Sequence, residues 1–137
     1  MRTLLLDASV LLAALDPEDE DHEPARILLE DEDASLATLD LARYEVANVA
    51  VRAWRAPGSV GPLLALIERI ADDGGVVPST DTLLTRAAEI AERYTISIYD
   101  AAYAAAAGEA GHLLVSCDER DLVSNGLAAL PASTNPA

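Results

Sequence analysis

The chain has 137 residues and a formal charge of −15, because 24 acidic residues face only nine basic ones, all of them arginine. This length suits a single domain, and the apolar half of the residues excludes disorder over the whole chain. No apolar run reaches the roughly 18 residues that cross a bilayer. The N-terminus shows no signal-peptide pattern, and Cys117 is the only cysteine, so we expect a cytoplasmic protein without disulfides. Taken alone, the charge argues against binding to nucleic acid, which usually depends on basic residues.

Short apolar runs alternate with helical patterns along the chain. Strands are predicted over residues 2–6, 34–37, 76–78 and 112–115, with a weak fifth near 127–130. Helices are predicted over residues 10–15, 22–29, 40–54, 63–71, 81–94 and 97–111. The expected N-terminal caps of the third, fifth and sixth helices are Asp40, either Thr80 or Asp81, and Ser97, and Gly111 is expected to end the sixth. Strands that alternate with helices predict an α/β domain with a parallel sheet covered on both faces. Residues 1–130 are expected to form this domain, and residues 131–137 a flexible tail.

Four carboxylates fall where such a sheet would bring them together. Asp7 and Asp118 each close an apolar strand, whereas Glu45 and Asp100 lie early in two helices. Ligands of parallel sheets bind outside the carboxyl ends of the strands, so one crevice can hold all four side chains. Buried carboxylates require a compensating partner, and the chain has no lysine to supply one. Carboxylate oxygens are the ligands that Mg²⁺ prefers, so the sequence predicts a metal site at this edge.

Each carboxylate also has an ordinary structural explanation. Asp7 is a favoured helix cap, and Asp118 can open a turn. Glu45 borders the apolar stripe of its helix, with Asn48 one turn further on, so it can be a surface residue. Asp100 can be a negative charge that the helix dipole favours. The convergence of all four on one edge favours a shared site over four separate explanations.

Other kinds of site find no support. The chain has no glycine-rich phosphate loop, and His22 and His112 lack the spacing of metal ligands. No nucleophile-elbow sequence frames Ser9 or Ser116. Core packing is expected for four aromatic residues at helical positions: Tyr44, Trp54, Tyr99 and Tyr103.

Four segments resemble the successive motifs of PIN domains, and most closely those of the small single-domain ribonucleases of the VapC toxin type. The segments are 4–12 (Leu-Leu-Leu-Asp-Ala-Ser-Val-Leu-Leu), 44–48 (Tyr-Glu-Val-Ala-Asn), 97–103 (Ser-Ile-Tyr-Asp-Ala-Ala-Tyr) and 113–122 (Leu-Leu-Val-Ser-Cys-Asp-Glu-Arg-Asp-Leu). The resemblance spans nearly the whole chain, with the motifs in order. It implies a three-layer PIN-like fold whose four- to five-stranded parallel sheet has the order 3-2-1-4-5 and is flanked by helices.

The resemblance also implies roles for individual residues. Asp7, Glu45, Asp100 and Asp118 match the acidic quartet of the family, and they are the expected catalytic residues. Asp7, Asp100 and Asp118 would hold Mg²⁺ or Mn²⁺, while Glu45 would serve as a second-metal ligand or as the base for water. Supporting or substrate-contacting roles are expected for Ser9, Asn48, Ser116 and Asp121.

These similarities imply a metal-dependent endoribonuclease that is the toxin of a type II toxin–antitoxin pair. Its partners would be an RNA substrate, a cognate antitoxin with a basic segment and a second copy of the chain in a homodimer. Two alternatives stay open at this point. One is a non-catalytic PIN-like binding module, which the negative charge mildly favours, and the other is a housekeeping RNA-processing nuclease of the same fold.

Overall fold

The computed structural model describes residues 2–73 and 75–135. Within this part of the chain, four parallel strands form one sheet in the order β3-β2-β1-β4. The strands are β1 (Arg2–Leu6), β2 (Ala34–Leu39), β3 (Val76–Val77) and β4 (Leu113–Val115). In the central strand, Leu4, Leu5 and Leu6 are at most 2% exposed, so both faces of the sheet are covered. The predicted α/β class and the strand order 3-2-1-4 are confirmed.

Helices connect the strands and cover the sheet in two groups. They are α1 (Ala8–Leu15), α2 (His22–Glu30), α3 (Ala42–Arg52), α4 (Val60–Asp73), α5 (Asp81–Tyr94), α6 (Ile98–Ala110) and α7 (Pro131–Thr134). The helices α1 to α4 pack with one another, whereas α6 packs on the sheet with α5 against it. Right-handed crossovers explain this division, because the chain moves across the sheet in one direction from β1 to β3 and returns in the other to β4.

Local sequence signals set several helix ends. The predicted caps Thr80 and Ser97 accept backbone hydrogen bonds from Leu83 and Asp100, respectively, and Gly111 ends α6 in the left-handed conformation (φ 70°). Asp40 was expected to cap α3, but the helix begins two residues later. The Asp40 carboxylate instead accepts hydrogen bonds from the amide and hydroxyl of Ser79, which tie it to the loop before α5.

The predicted fifth strand is reduced to a single parallel bridge. Val115 pairs with Ala129, whose amide donates to the Leu114 carbonyl at 2.9 Å. The bridge lies beside β4, where the order 3-2-1-4-5 places a fifth strand. Pairing stops there because Pro131 follows two residues later and has no amide hydrogen to continue the ladder.

The C-terminal residues differ from the predicted flexible tail. Residues 131–134 form the short helix α7, which packs against α2 with Pro131 and Thr134 buried. The guanidinium of Arg2 donates a hydrogen bond to the Thr134 carbonyl and joins this helix to the start of β1. Pro131 suits the first helical position because its missing N–H needs no partner there. The last two residues of the predicted tail, 136 and 137, lie outside the described part of the chain.

Small side chains bring α6 close to the sheet. Five alanines of this helix are buried, and the large Tyr103 among them is only 2% exposed. Close packing of this kind holds the N-terminal turn of α6, with Asp100, at the carboxyl edge of the strands. Over residues 2–73 and 75–135, none of the helices combines the length and the apolar character that spanning a membrane requires.

Candidate functional site

The four predicted carboxylates lie at the ends of elements that meet at one edge of the sheet. Asp7 follows β1, and Asp118 follows the neighbouring β4 after two residues. Glu45 and Asp100 lie in the first turns of α3 and α6. We call these four residues and Asp121 the carboxyl-edge cluster.

Asp7 is buried and held by its neighbours. Its side chain is 5% exposed, and it caps α1 by accepting hydrogen bonds from the amides of Ser9 and Val10. Oδ1 also accepts from the Ser9 hydroxyl at 2.5 Å, and Oδ2 accepts from the Ser116 hydroxyl at 2.5 Å. Burial raises the pKa of Asp7 to about 6, even though these hydrogen bonds favour the charged form.

Ser9 and Ser116 connect the ends of β1 and β4. The Ser9 hydroxyl oxygen accepts a hydrogen bond from the Cys117 amide at 2.9 Å, and that of Ser116 accepts from the Asp118 amide at 3.0 Å. Each serine therefore accepts from the β4 side while it donates to Asp7. This arrangement fixes the Asp7 carboxylate against the segment that carries Asp118.

Glu45 is paired with a tyrosine rather than with a cation. The Tyr103 hydroxyl donates to Glu45 Oε1 at 2.6 Å, across the interface between α3 and α6. Burial raises the pKa of Glu45, the Tyr103 hydrogen bond opposes this, and the charge of Asp100 adds to it. Burial and the same carboxylate raise the pKa of Tyr103, so the tyrosine keeps its proton and acts as the donor.

Asp100, Asp118 and Asp121 form the tightest group. Each offers a carboxylate oxygen, and these atoms lie within 4.8 Å of one another. Asp118 Oδ1 accepts a hydrogen bond from the Asp121 amide at 3.0 Å, which closes a π-helical turn over Glu119–Val123. Burial raises the pKa of Asp100, and the charges of Asp118 and Asp121 raise it further.

Electrostatic repulsion couples the pKa values of these carboxyl groups. The charge of Glu45 raises the pKa of Asp7, that of Asp100 raises the pKa of Glu45, and Asp118 and Asp121 act on Asp100 in the same way. Among the residues that the structure describes, the only cation paired with the cluster is Arg120, which contacts Asp121 at 3.3 Å. Its side chain is 91% exposed, so it neutralises little of the charge.

The ordinary explanations of two carboxylates also hold. Asp7 does cap α1, and Asp118 does accept the backbone hydrogen bond that opens a turn. Neither role explains why five carboxylates share one edge with so little compensation. The structural roles of Asp7 and Asp118 are therefore compatible with the predicted shared site.

Some residues do not lie where the sequence predicts them. Asn48 is exposed on α3, and within the described residues it forms no hydrogen bond to the cluster. Tyr44 and Tyr99 were expected in the core but are 78% and 58% exposed, because each lies on the outward side of its helix. Cys117 is half-buried, and burial raises its pKa, which makes its thiol a poor nucleophile.

The structure adds to what the sequence predicts for two residues. Tyr103 was expected only as a core residue, although its position three residues after Asp100 on a helix places both side chains near the same face. Asp121 was expected in a supporting role, and the structure brings one of its carboxylate oxygens within 4.8 Å of one from Asp100 and one from Asp118.

Known proteins share this fold. The family model of the PIN domain matches residues 4–124. A toxin–antitoxin complex from Klebsiella pneumoniae contains a chain that is 16% identical, with a TM-score of 0.69 over 93% of this chain and 97% of its own. VapC20 from Mycobacterium tuberculosis, described as a sarcin-ricin loop cleaving toxin, is 20% identical, with a TM-score of 0.69 over 90% and 95%.

PAE2754 from Pyrobaculum aerophilum is 23% identical, with a TM-score of 0.67 over 96% of this chain and 85% of its own. At such identities these likenesses establish the fold alone. Curated protein sequences contain no significant match to this chain. The family model, which covers most of the chain, shows that the protein belongs to the PIN domain family.

Proposed function

We propose that this protein is a metal-dependent endoribonuclease and the toxin of a type II toxin–antitoxin pair. The observation that carries the proposal is the carboxyl-edge cluster: Asp100, Asp118 and Asp121 offer oxygens within 4.8 Å of one another, and the charges of Asp7, Glu45 and Asp100 act on one another in sequence. Among the described residues, Arg120 is the only cation paired with the cluster. Such a group is costly to hold in a fold unless it binds a cation. The raised pKa values of Asp7, Glu45 and Asp100 express this cost in the metal-free protein.

The donor set fits a hard divalent cation. Carboxylate oxygens without nitrogen or sulfur ligands suit Mg²⁺ or Mn²⁺. Asp7, Asp100 and Asp118 are the proposed ligands, and the closeness of Asp121 to the last two supports adding it to the set. When bound, the metal would lower the pKa of a coordinated water and offset negative charge on the phosphate.

Side chains of the protein would orient the metal ligand Asp7 and accept the proton of the attacking water. Ser9 and Ser116 hold both oxygens of Asp7, so its carboxylate keeps one orientation. Tyr103 holds Glu45 at Oε1, which leaves Oε2 as the atom that can take a proton from the attacking water. The elevated pKa of Glu45 suits this role, because a base works best when its pKa approaches the working pH.

Similar proteins support RNA as the substrate and an antitoxin as the partner. VapC20 is described as cleaving the sarcin-ricin loop, and the Klebsiella pneumoniae structure is a toxin–antitoxin complex. A basic antitoxin segment would be attracted to the carboxyl-edge cluster by charge. We extend the proposal to a homodimer that acts in the cytoplasm.

Cleavage of a structured RNA pool by purified protein tests the proposal. We expect cleavage with Mg²⁺ or Mn²⁺, none with EDTA, and none with Asp7→Asn, since asparagine keeps the helix cap but removes the charge. Asp72→Asn, an exposed change on α4, is the charge-matched control and should cleave normally. Folded wild-type protein that leaves RNA intact with both metals would contradict the proposal and favour a non-catalytic binding module.

Induced expression separates a toxin from a housekeeping nuclease. We expect growth arrest with the wild-type chain and none with Asp7→Asn expressed at the same level. Normal growth with an enzyme that is active in vitro would favour the housekeeping role.

A further inference from the structure

Two arginines of α5 are among the five that form no ion pair in the described part of the chain, the others being Arg52, Arg55 and Arg69. Within the described residues, ion pairs involve Arg2, Arg26, Arg43 and Arg120. Arg86 and Arg93 are exposed on α5 and form no ion pair there, although carboxylates outnumber arginines in this chain. Their positive charges are thus available to an outside anion.

Arg86 and Arg93 line one cavity. It has a volume of about 320 Å³ and lies between α5, α6 and the segment that follows the π-helical turn. Tyr94 also lines it, and the Arg93 guanidinium lies 5.4 Å from the centre of the Tyr94 ring. The cavity therefore offers two cations and an aromatic ring, which are the groups that bind phosphates and unstacked bases.

None of the cluster residues lines the cavity, but two elements connect it with the carboxyl-edge cluster. Ala104 of α6 lines it and lies four residues after Asp100, on the same helix face and about 6 Å further along the axis. Leu127 lines it too, and its amide donates to the Leu122 carbonyl at 3.0 Å, within the turn that Asp118 opens. A strand of RNA that reaches the cluster can thus continue into the cavity.

We propose that Arg86, Arg93 and Tyr94 form a subsite for the RNA backbone next to the cleavage site. The arginines contact phosphate oxygens, and the Tyr94 ring stacks on a base. This inference rests on the proposed ribonuclease function, and it explains how so acidic a chain holds a polyanion. A basic antitoxin segment is repelled here, so the subsite selects for an anionic ligand.

Glu89 is expected to weaken the binding of an anion at the subsite. It lines the same cavity between the two arginines, and within the described residues it forms no ion pair with either. Its charge opposes an incoming phosphate. Removing the charge of Glu89 should therefore strengthen RNA binding. No such gain is expected if this face of α5 has only a structural role.

Binding of a short fluorescein-labelled single-stranded RNA of mixed sequence, followed by anisotropy in EDTA at low salt, tests the subsite. Arg86→Gln/Arg93→Gln should bind about tenfold more weakly than wild type. The slope of log affinity against log salt should fall by about 0.7 for each lost phosphate contact. The double variant Arg26→Gln/Arg69→Gln removes the same charge from α2 and α4 and should show neither effect.

A second pair of variants removes negative charge instead. Glu89→Gln should bind the RNA several-fold more tightly, whereas Glu92→Gln, an exposed change on the same helix outside the cavity, should bind nearly as wild type does. In cleavage assays, Arg86→Gln/Arg93→Gln should raise KM and leave kcat unchanged, as expected for lost uniform binding.

Equal loss of affinity in the two arginine double variants would overturn the subsite, as would a wild-type protein that does not bind RNA at low salt. Either result is distinct from failure of the proposed function, which is read from metal-dependent cleavage by the wild type. Weakened binding in Arg86→Gln/Arg93→Gln without any cleavage by the wild type supports the subsite and rejects the enzyme.

Discussion

The charges on α2 and those of the carboxyl-edge cluster show how the same residue types behave in two settings. On α2, Arg26 lies between Glu23 and Glu30 and contacts both, at 2.6 and 2.8 Å. The hydrogen bonds from Arg26 lower the pKa of Glu23. At the carboxyl edge, burial raises the pKa values of Asp7, Glu45 and Asp100, and neighbouring carboxylates raise them further.

The two sets of charges are brought together in different ways. Helix spacing alone arranges the α2 pairs, since residues three and four apart are neighbours. The carboxyl-edge cluster gathers residues from β1, α3, α6 and the turn after β4, where little cationic charge balances them. Exposed pairs like those on α2 are common and contribute little to stability, whereas groups with perturbed pKa values are concentrated at functional sites.

The largest expected effect lies in the cluster. Asp100→Asn should reduce RNA cleavage by about 1,000-fold, because it removes a proposed metal ligand. Glu23→Gln on α2 removes the same charge and should leave the rate unchanged. Initial rates at saturating Mg²⁺ or Mn²⁺ measure both, and comparable losses in the two variants would erase the distinction between the regions.

The next effect concerns the stability of the metal-free protein. The folded-state pKa of Asp7 is about 6 and lies above its ordinary value of 3.8, so folding favours the protonated form. The stabilisation that protonated Asp7 provides is fully present below pH 3.8 and is lost as the pH rises through 6. The free energy of unfolding should fall by about 2 to 3 kcal/mol over this range. Asp7→Asn should therefore be more stable than wild type at pH 7.5 and about equally stable at pH 4.

Urea unfolding in EDTA at the two pH values measures this difference. Asp72→Asn serves as the control, because its exposed carboxylate should give a small change at either pH. An Asp7→Asn variant that is destabilised at both pH values would mean that the hydrogen bonds from Ser9 and Ser116 outweigh the burial of the charge.

A smaller effect is expected from the partner of Glu45. Tyr103→Phe removes the hydrogen bond to Oε1 and should reduce stability by about 1 kcal/mol. Because this bond favours the charged form of Glu45, its loss should move the acidic limb of the pH–rate profile to higher pH. The control is Tyr99→Phe, which changes an exposed tyrosine of the same helix and should alter neither the stability nor the profile. An unshifted profile for Tyr103→Phe would show that Tyr103 does not influence the catalytic base.

The smallest effect belongs to α2. Arg26→Gln breaks both ion pairs, yet exposed pairs contribute little and are screened by salt. We expect no resolvable change in the unfolding temperature at moderate salt, measured by circular dichroism. A clear loss of stability would show that the α2 charges matter more to the fold than their exposure indicates.

Local patterns in the sequence account for much of the fold. Apolar runs separated by helical stretches predict the parallel sheet, and Thr80, Ser97 and Gly111 mark the ends of α5 and α6 where the structure has them. The positions of Asp7 and Asp118 after apolar strands place them at the carboxyl edge. These features depend on spacing within a few residues, so the sequence contains them directly.

Other features arise only when distant segments meet. Ser116 lies 109 residues from Asp7, and Tyr103 lies 58 residues from Glu45, so their hydrogen bonds depend on the strand order and on the packing of α3 beside α6. The sequence offers no local signal for such pairs. Asp121 is similar, because only the π-helical turn brings it close to Asp100.

Tertiary packing also decided the features that differ from expectation. The fifth strand shrinks to one bridge beside β4, and residues 131–134 become a helix against α2. Tyr44 and Tyr99 face outward although their helical positions suggested the core. The sequence by itself determined most of the elements and the edge on which the carboxylates lie, because these follow from backbone propensity and apolar periodicity. Which carboxylates approach one another, and which arginines are left without partners, was decided by the folded chain, because electrostatic and hydrogen-bond energies depend on distances between segments.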